Sequence, residues 1–150
     1  MRYNNKAGWR IIGGKKIYAR SCWEANFARW LQWQKENGLI YDWEHEPKTF
    51  WFEGIKRGCV SYKPDFRVFS LVGEERTIDH YWVEVKGWMD PKSATKIKRF
   101  RKYFPEEELV VVDKKWFAHN SVKLKLIIKD WEIGNAPQKR QKQKDNFWKH

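Results

Sequence analysis

Two strand-like segments joined by a short polar turn constrain the fold of this chain more than any other feature. Residues 66–71 and 77–86 are rich in β-branched and aromatic side chains, and the five residues between them contain glycine and charged side chains. A turn centred between Glu74 and Glu75 fixes the pairing of the two strands. In that pairing the apolar partners share one face, so the sequence predicts an antiparallel hairpin.

The other face of this hairpin brings charged residues together. In the predicted register Phe66 lies opposite Val83, and Asp65 lies opposite Glu84. Two like charges so placed are destabilising unless something between them compensates. A divalent cation such as Mg²⁺, which prefers oxygen ligands, would do so. Lys86 lies two residues beyond Glu84 and therefore on the same face. The residues predicted on this face are Asp65, Arg67, Trp82, Glu84 and Lys86.

The remaining pattern predicts helices on either side of this hairpin. Ser21-Cys22-Trp23-Glu24 reads as a capping box that begins a helix over 21–37. Residues 39–46 alternate, which predicts a strand with Leu39, Tyr41 and Trp43 on one face. The other predicted elements are short strands at 49–52 and 59–62, a helix that begins at Asp90-Pro91 and ends before Pro105, and a buried strand at 109–112. Residues 122–131 fit either a strand or a helix, and their type stays open.

This order of elements favours the α/β class, with a central mixed β-sheet flanked by helices. A length of 150 residues corresponds to one folded domain. We therefore predict a basic N-terminal arm over 1–20, one folded domain over 21–135 and a flexible basic tail over 136–150.

The net charge of +12 is concentrated in three segments. Residues 1–20, 86–102 and 136–150 carry net charges of +6, +6 and +4, so the remaining residues are net negative. Basic faces are often merely solvated, but three such segments around an acidic body are typical of phosphate neutralisation by a nucleic-acid-binding protein. The residues expected to contact DNA are Arg10, Lys15, Lys16, Arg20, Lys63, Arg67, Trp88, Lys92, Lys96 and Arg99.

Other function classes are disfavoured. The sequence has no run of about 20 apolar residues and its first residues lack the apolar segment of a secretory signal, so we expect no membrane span and no export. Cys22 and Cys59 have no CxxC spacing, and we expect them to be packing residues in a reducing cytoplasm.

The motifs resemble those of a known superfamily. Lys63-Pro64-Asp65-Phe66, followed by Val83-Glu84-Val85-Lys86-Gly87, is similar to the core of the PD-(D/E)xK nucleases, whose fold is that of the restriction endonucleases. The similarity is closest to the phage endonuclease I type of Holliday-junction resolving enzymes, over about residues 21–113. The spacing from Asp65 to Glu84 is longer here than in that group, so the hairpin tip departs from its pattern.

This resemblance implies a function and a set of site residues. Asp65 and Glu84 would bind Mg²⁺, for which Mn²⁺ substitutes, Lys86 would be the catalytic lysine, and Glu24 would be a further catalytic and metal-binding carboxylate. The implied activity is hydrolysis of phosphodiesters in four-way DNA junctions by metal-activated water, carried out by a homodimer. If the chain is encoded by a phage, it would act in the host cytoplasm.

Two alternatives stay open. The same core also occurs in nucleases that cut or nick duplex DNA in restriction, repair or packaging. A non-catalytic DNA-binding protein would share the basic surface, although a binder gains nothing from holding Asp65 and Glu84 among phosphates.

Overall fold

The structure, a computed structural model, describes residues 6–133, and in that range it contains eight β-strands and three α-helices. The elements are β1 (Lys6–Ile12), β2 (Lys15–Ser21), α1 (Cys22–Glu36), β3 (Ile40–His45), β4 (Phe50–Trp51), β5 (Ser61–Tyr62), β6 (Phe66–Val72), β7 (Thr77–Lys86), α2 (Pro91–Tyr103), β8 (Leu109–Asp113) and α3 (Lys114–Ile127). The predicted tail over 136–150 lies outside the described residues. The predicted α/β class is confirmed.

A four-stranded mixed sheet in the order β3-β6-β7-β8 forms the centre of the fold. β6 and β7 are the predicted hairpin, with Phe66 opposite Val83, so the register read from the sequence is confirmed. β8 adds parallel to β7 and makes the sheet mixed, as predicted. Asp65 directly precedes β6 and accepts a hydrogen bond from the Val85 N–H of β7 at 2.7 Å, which places it beside Glu84.

Both faces of this sheet are buried, each against its own apolar cluster. Because neighbouring residues of a strand point to opposite faces, Val83 belongs to the first cluster and Trp82 to the second. The first cluster contains Ile12, Ile17, Ala19, Ala25, Phe27, Ala28, Leu31, Ile40, Trp43, Phe66, Val68, Val83, Val112 and Phe117. The second contains Phe50, Phe52, Tyr62, Trp82, Ile97, Phe100 and Leu109. The predicted charged face therefore lies under α2 and the β4–β5 ribbon.

Strand β3 has an irregularity that the alternating pattern did not reveal. Ile40 pairs with Ser70, but Asp42 pairs with Phe69, so one extra residue is inserted in β3. This bulge brings Ile40 and Trp43 to the same buried cluster. Leu39 and Tyr41 are each 56 % exposed, so the predicted apolar face of Leu39, Tyr41 and Trp43 is wrong except at Trp43.

The described part of the predicted N-terminal arm is packed on the folded body. β1 and β2 form an antiparallel hairpin that contacts α1. Ile12, Ile17 and Ala19 are buried in the first apolar cluster. Residues 6–20 therefore contribute to the core, and a boundary between residues 20 and 21 does not separate a free arm from a folded domain.

Replacing Ile17 by alanine tests this role of the hairpin. Ile17 is 5 % exposed, and removing a buried isoleucine side chain typically costs about 2–5 kcal/mol of the free energy of unfolding. We expect a loss in this range, measured by urea denaturation. Ile11→Ala is the matched control, because Ile11 is 76 % exposed on the same hairpin and should cost less than about 0.5 kcal/mol. Equal stability of the two variants would contradict the packing.

Two of the three helices begin where the sequence predicted, and the third begins at Lys114, eight residues before the segment whose type stayed open. Ser21 Oγ accepts the Glu24 N–H at 3.1 Å and caps α1, and Asp90 caps α2 in the same way through Ser93. α3 begins one residue after Asp113, whose side chain accepts the Trp116 N–H. Residues 122–127 are therefore helical. Within the described residues, no helix is long and apolar enough to cross a membrane.

Candidate active site

Two buried carboxylates lie side by side at the ends of the hairpin strands. Asp65 is 6 % exposed and Glu84 is 8 % exposed. The Tyr62 hydroxyl donates a hydrogen bond to Glu84 Oε2 at 2.6 Å, and the Val85 N–H donates to Asp65 Oδ2 at 2.7 Å. Among the described residues, Asp65 Oδ1 and Glu84 Oε1 have no hydrogen-bond donor. One oxygen of each carboxylate is thus left for another partner.

The electrostatics of this pair favour a bound cation. Burial raises the pKa of Asp65 well above its usual range, and the charges of Glu84 and Glu24 raise it further. Burial also raises the pKa of Glu84, although the Tyr62 hydrogen bond and Lys86 oppose that shift. Burial and the charge of Glu84 raise the pKa of Tyr62, so its hydroxyl stays a donor. Both carboxylates are therefore buried with too little positive charge nearby to stabilise their ionised forms fully.

Glu24 adds a third buried carboxylate from α1 and is 4 % exposed. In a capping box its side chain would bind the N–H of Ser21, the residue that caps the helix. Instead, Glu24 Oε2 accepts the N–H of Arg20 at 2.8 Å, and Glu24 Oε1 lies 2.6 Å from His45 Nε2. Ser21 alone caps the helix, and Glu24 connects α1 to β2 and β3 next to the carboxylate pair.

A second set of ligand-type side chains lies at the end of β3. Glu24, His45 and Glu46 each offer a ligand atom, and these atoms lie within 4.8 Å of one another, so the three residues could hold a metal ion. Glu46 has a φ of 46°, which is unusual for a residue other than glycine. The Glu46 N–H donates to the Asp65 carbonyl oxygen at 2.8 Å, so the group of Glu24, His45 and Glu46 lies next to the pair of Asp65 and Glu84.

Sequence reasoning missed His45 and Glu46. The pairing of β3 with β6, which the sequence did not predict, brings them to the site, since His45 at the end of β3 lies opposite Phe66 at the start of β6. Glu46 follows β3 and therefore lies next to Asp65. Two basic side chains meet its carboxylate: Arg20 Nη1 is 2.8 Å from Oε1, without hydrogen-bond geometry, and Lys63 Nζ is 3.4 Å from Oε2.

Asp65 and Glu84 line a cleft of about 450 Å³ that also receives Lys86. Lys86 Nζ lies 3.9 Å from Glu84 Oε1. The lining residues are Arg20, Thr49, Trp51, Ser61, Tyr62, Lys63, Asp65, Glu84, Lys86, Ser93 and Lys96. The cleft thus combines acidic groups with four basic side chains, an arrangement suited to a metal ion and a phosphate.

No protein-family model, curated protein or solved structure matches this chain. The resemblance to the PD-(D/E)xK nucleases therefore stays a prediction from the sequence motifs.

The residues predicted to contact DNA fall into two groups. Arg20, Lys63 and Lys96 line the cleft beside the carboxylates. Trp88, at 75 % exposure, and Lys92 are exposed but do not line it. Three of the ten predicted contacts are therefore placed where a phosphate held at the cleft would meet them.

The other group makes contacts within the protein. Arg10 is paired with Glu132 at 2.7 Å and Lys15 with Asp42 at 2.7 Å, while Lys16 lies over the Trp9 ring. Arg67 lies over the rings of Phe69 and Trp82 and approaches His80 Nδ1 at 3.3 Å. Arg99 donates to the Cys59 carbonyl at 2.7 Å. None of these five side chains lines the cleft of Asp65 and Glu84, although Lys15 and Lys16 line a neighbouring cavity with His45 and Glu46.

Proposed function

We propose that this protein is a Mg²⁺-dependent, structure-selective DNA endonuclease with a PD-(D/E)xK core, acting as a Holliday-junction resolvase. The observation that carries the proposal is the buried pair of Asp65 and Glu84 in a cleft that also holds Lys86 and a basic rim. A structural ion pair does not need two adjacent buried carboxylates whose pKa values are both raised, whereas a site for metal-dependent phosphodiester hydrolysis does.

The donor set fits a hard divalent cation. Asp65 Oδ1 and Glu84 Oε1 are carboxylate oxygens without a protein donor in the described part of the chain, and Mg²⁺ is bound by one or two carboxylates together with water and phosphate oxygens. Mn²⁺ accepts the same ligands. When bound, the ion would supply Lewis-acid activation of water and neutralise phosphate charge. Glu24 lies close enough to add its charge to the same group.

The chain's own residues have distinct roles in the proposed reaction. A water oxygen attacks the phosphorus atom and gives up a proton to solvent, the P–O bond to one strand breaks, and the leaving oxygen takes up a proton from solvent, so that one strand ends in a hydroxyl and the other in a phosphate. The Lys86 ammonium can orient this water and stabilise the negative charge that develops on the phosphorane. The Tyr62 hydroxyl donates a hydrogen bond that positions Glu84, and His45 Nε2 lies 2.6 Å from Glu24 Oε1 and positions that side chain. Arg20, Lys63 and Lys96 bind the flanking phosphates.

The branched substrate and the homodimer belong to this proposal as well. A four-way junction has two-fold symmetry, so a symmetric dimer can present two active sites to two opposed strands. Such an enzyme would act in the cytoplasm, where DNA and Mg²⁺ meet.

The test compares a synthetic four-way junction with a linear duplex of the same sequence, each with and without Mg²⁺. We expect cleavage of the junction only with Mg²⁺ and at least tenfold faster than cleavage of the duplex. Equal cleavage of both substrates would contradict the resolvase proposal and favour a nuclease that acts on duplex DNA. Tight binding of the junction without cleavage in Mg²⁺ or Mn²⁺ would contradict the nuclease function and favour a non-catalytic DNA-binding protein.

Replacing Tyr62 by phenylalanine should weaken the site without removing a ligand. The hydroxyl donates to Glu84 Oε2 and lowers the pKa of that carboxylate, so its loss raises the pKa. We expect the Mg²⁺ concentration for half-maximal cleavage to rise about 10- to 100-fold, the usual effect of losing a group that supports a metal ligand. The acidic limb of the pH profile should also move to higher pH.

The control for this change is Tyr41→Phe, because Tyr41 is 56 % exposed and lies outside the cleft. It should leave both the Mg²⁺ dependence and the pH profile unchanged. A Tyr62→Phe protein with the wild-type Mg²⁺ dependence would show that Glu84 does not need this hydrogen bond.

A further inference from the structure

Trp51 stands exposed at the mouth of the cleft. Its side chain is 67 % exposed, whereas its neighbours Phe50 and Phe52 are 2 % and 3 % exposed. In an extended chain successive side chains point to opposite faces, so burial of Phe50 and Phe52 turns Trp51 outward. Trp51 lines the same cleft as Asp65 and Glu84. A large aromatic face is therefore presented beside the carboxylate pair.

The ribbon that carries Trp51 is firmly anchored. Phe50 makes edge-to-face contacts with Trp82 at 5.0 Å, with Phe100 at 4.9 Å and with Phe104 at 4.8 Å. On the neighbouring strand Ser61 lies opposite Trp51. These contacts hold the backbone of residue 51 in place, so the indole is presented by a rigid element.

Within the part of the chain that the structure describes, the exposed indole has neither a stacking partner nor a hydrogen-bond partner. Among residues 6–133 no aromatic ring stacks on Trp51, and its N–H has no hydrogen-bond acceptor. By contrast, Trp82 is 1 % exposed and donates its indole N–H to Glu107 at 2.7 Å. Trp9 and Trp88 are also exposed, but Trp51 is the exposed tryptophan that lines the cleft of Asp65 and Glu84 in the described residues, so its free face is available to a ligand held there.

The surroundings of Trp51 define the chemistry of that ligand. Lys63 and Lys96 line the cleft with Trp51 and offer positive charge for phosphates. An aromatic face next to a phosphate-binding groove is how proteins hold single-stranded nucleic acid, because every base has a π-face to stack. In a duplex both faces of a base are covered by its neighbours. A free base face occurs where a nucleotide is unpaired and unstacked.

We propose that Trp51 stacks on a nucleobase that leaves its pair next to the phosphodiester that is cut, so that the substrate class is branched DNA whose bases at the branch point unpair on binding, and a single-stranded flap presents such a base directly. This inference rests on the proposed nuclease function and specifies its substrate. It makes Trp51 a specificity residue, which contacts the substrate and takes no part in the chemical step.

The test uses the full chain with Asp65→Asn, to prevent cleavage, and a duplex with a single-stranded flap. The first unpaired nucleotide of the flap is 2-aminopurine, whose fluorescence falls when it stacks on an aromatic ring. Stacking of one base on an aromatic side chain contributes a factor of about 5 to 100 in affinity. We therefore expect fluorescence quenching on binding, and Trp51→Leu should lose the quenching and bind the flap about 5- to 100-fold more weakly.

Three comparisons make this test specific. Trp51→Phe keeps a π-face and should restore most of the quenching, whereas Trp51→Leu keeps only apolar bulk. Tyr41→Leu removes an exposed aromatic side chain outside the cleft and should leave both readouts unchanged. A fully paired duplex with 2-aminopurine at the same position should be bound equally by all variants.

The outcomes separate this inference from the proposed function. Quenching that persists in Trp51→Leu, or an equal loss of affinity for flap and paired duplex, would overturn the stacking role even if the wild-type protein cleaves junctions in Mg²⁺. Quenching that depends on Trp51 in a protein whose wild-type form never cleaves DNA would overturn the nuclease function and retain a binding site for unpaired bases.

Discussion

Replacing Lys86 by alanine is expected to slow cleavage of a four-way junction by about 10²- to 10³-fold, which is the usual effect of removing one preorganised group that stabilises charge in a transition state. The Lys86 ammonium is 3.9 Å from Glu84 Oε1 and lines the cleft, so it can reach both the attacking water and a phosphate held there. Single-turnover kinetics in saturating Mg²⁺ measure this step without product release.

The variant must also be separated from an indirect effect on Glu84. Lys86 lowers the pKa of Glu84, so its removal raises that pKa and favours the protonated carboxyl. If this were the whole effect, raising the pH would restore the wild-type rate. We expect the deficit to persist across the alkaline plateau, because the charge on the phosphate is still unopposed.

Lys123→Ala is the matched control, since Lys123 is an exposed lysine of α3 that does not line the cleft. It removes one positive charge and should leave the cleavage rate within about twofold. A Lys86→Ala protein that cleaves as fast as Lys123→Ala would remove Lys86 from the mechanism. Loss of junction binding in Lys86→Ala alone would reassign Lys86 to phosphate binding.

The central hairpin was predictable because two independent signals agree. The turn residues set which positions face each other, and the alternation of apolar side chains sets which face is buried. A shift by one residue would have placed Phe66 and Val83 on the polar face, so the pattern permits only one register. The positions of Asp65 and Glu84 follow directly from that register.

The bulge in β3 was not predictable from the same kind of pattern. Alternation assumes one residue against one, and an inserted residue reverses the face of everything before it. Leu39 and Tyr41 consequently point to solvent while Ile40 is buried. β3 contacts α1 and β6, so which of its residues are buried depends on elements distant in sequence, and a local pattern does not report them.

The basic residues show a similar limit. The sequence gives the number of basic residues in a segment, but the group that each basic side chain contacts depends on the fold. Arg10 meets Glu132, which lies 122 positions away, and Arg67 is covered by the aromatic rings of its own sheet. Of the cations predicted to contact DNA, those that line the cleft are Arg20, Lys63 and Lys96, which lie on β2, in the loop after β5 and on α2. Counting charges along the sequence therefore predicted a basic surface but not which cations would lie together.

Replacing Asp65 by asparagine should stabilise the protein without metal and abolish its stabilisation by Mg²⁺. The pKa of Asp65 is raised by burial and by the charges of Glu84 and Glu24. A raised pKa in the folded state means that this group favours folding while it is protonated, below its unfolded pKa of about 3.9. That contribution is lost as the pH rises through the folded pKa. Asparagine has no charge to lose.

Thermal unfolding in EDTA from pH 4 to pH 8 measures this difference. The melting temperature of Asp65→Asn should exceed that of the wild type by an amount that grows with pH. Asp79→Asn, a change at an exposed aspartate of β7, should show no such growth. An asparagine variant that is less stable than the wild type in EDTA at pH 8 would mean that the Asp65 charge is already compensated within the protein.

Adding Mg²⁺ should reverse the order of the two proteins. An ion that binds only the folded state at 100 times its dissociation constant adds about 2.7 kcal/mol, or roughly 5–10 °C for a chain of this size. The wild type should gain this stabilisation because two adjacent carboxylates are ionised to receive the ion. Asp65→Asn should gain little. Such a result would mean that the two carboxylates destabilise the folded protein without the ion and stabilise it with the ion. Carboxylates that lower stability in this way are expected where an ion binds and not where side chains only support the fold.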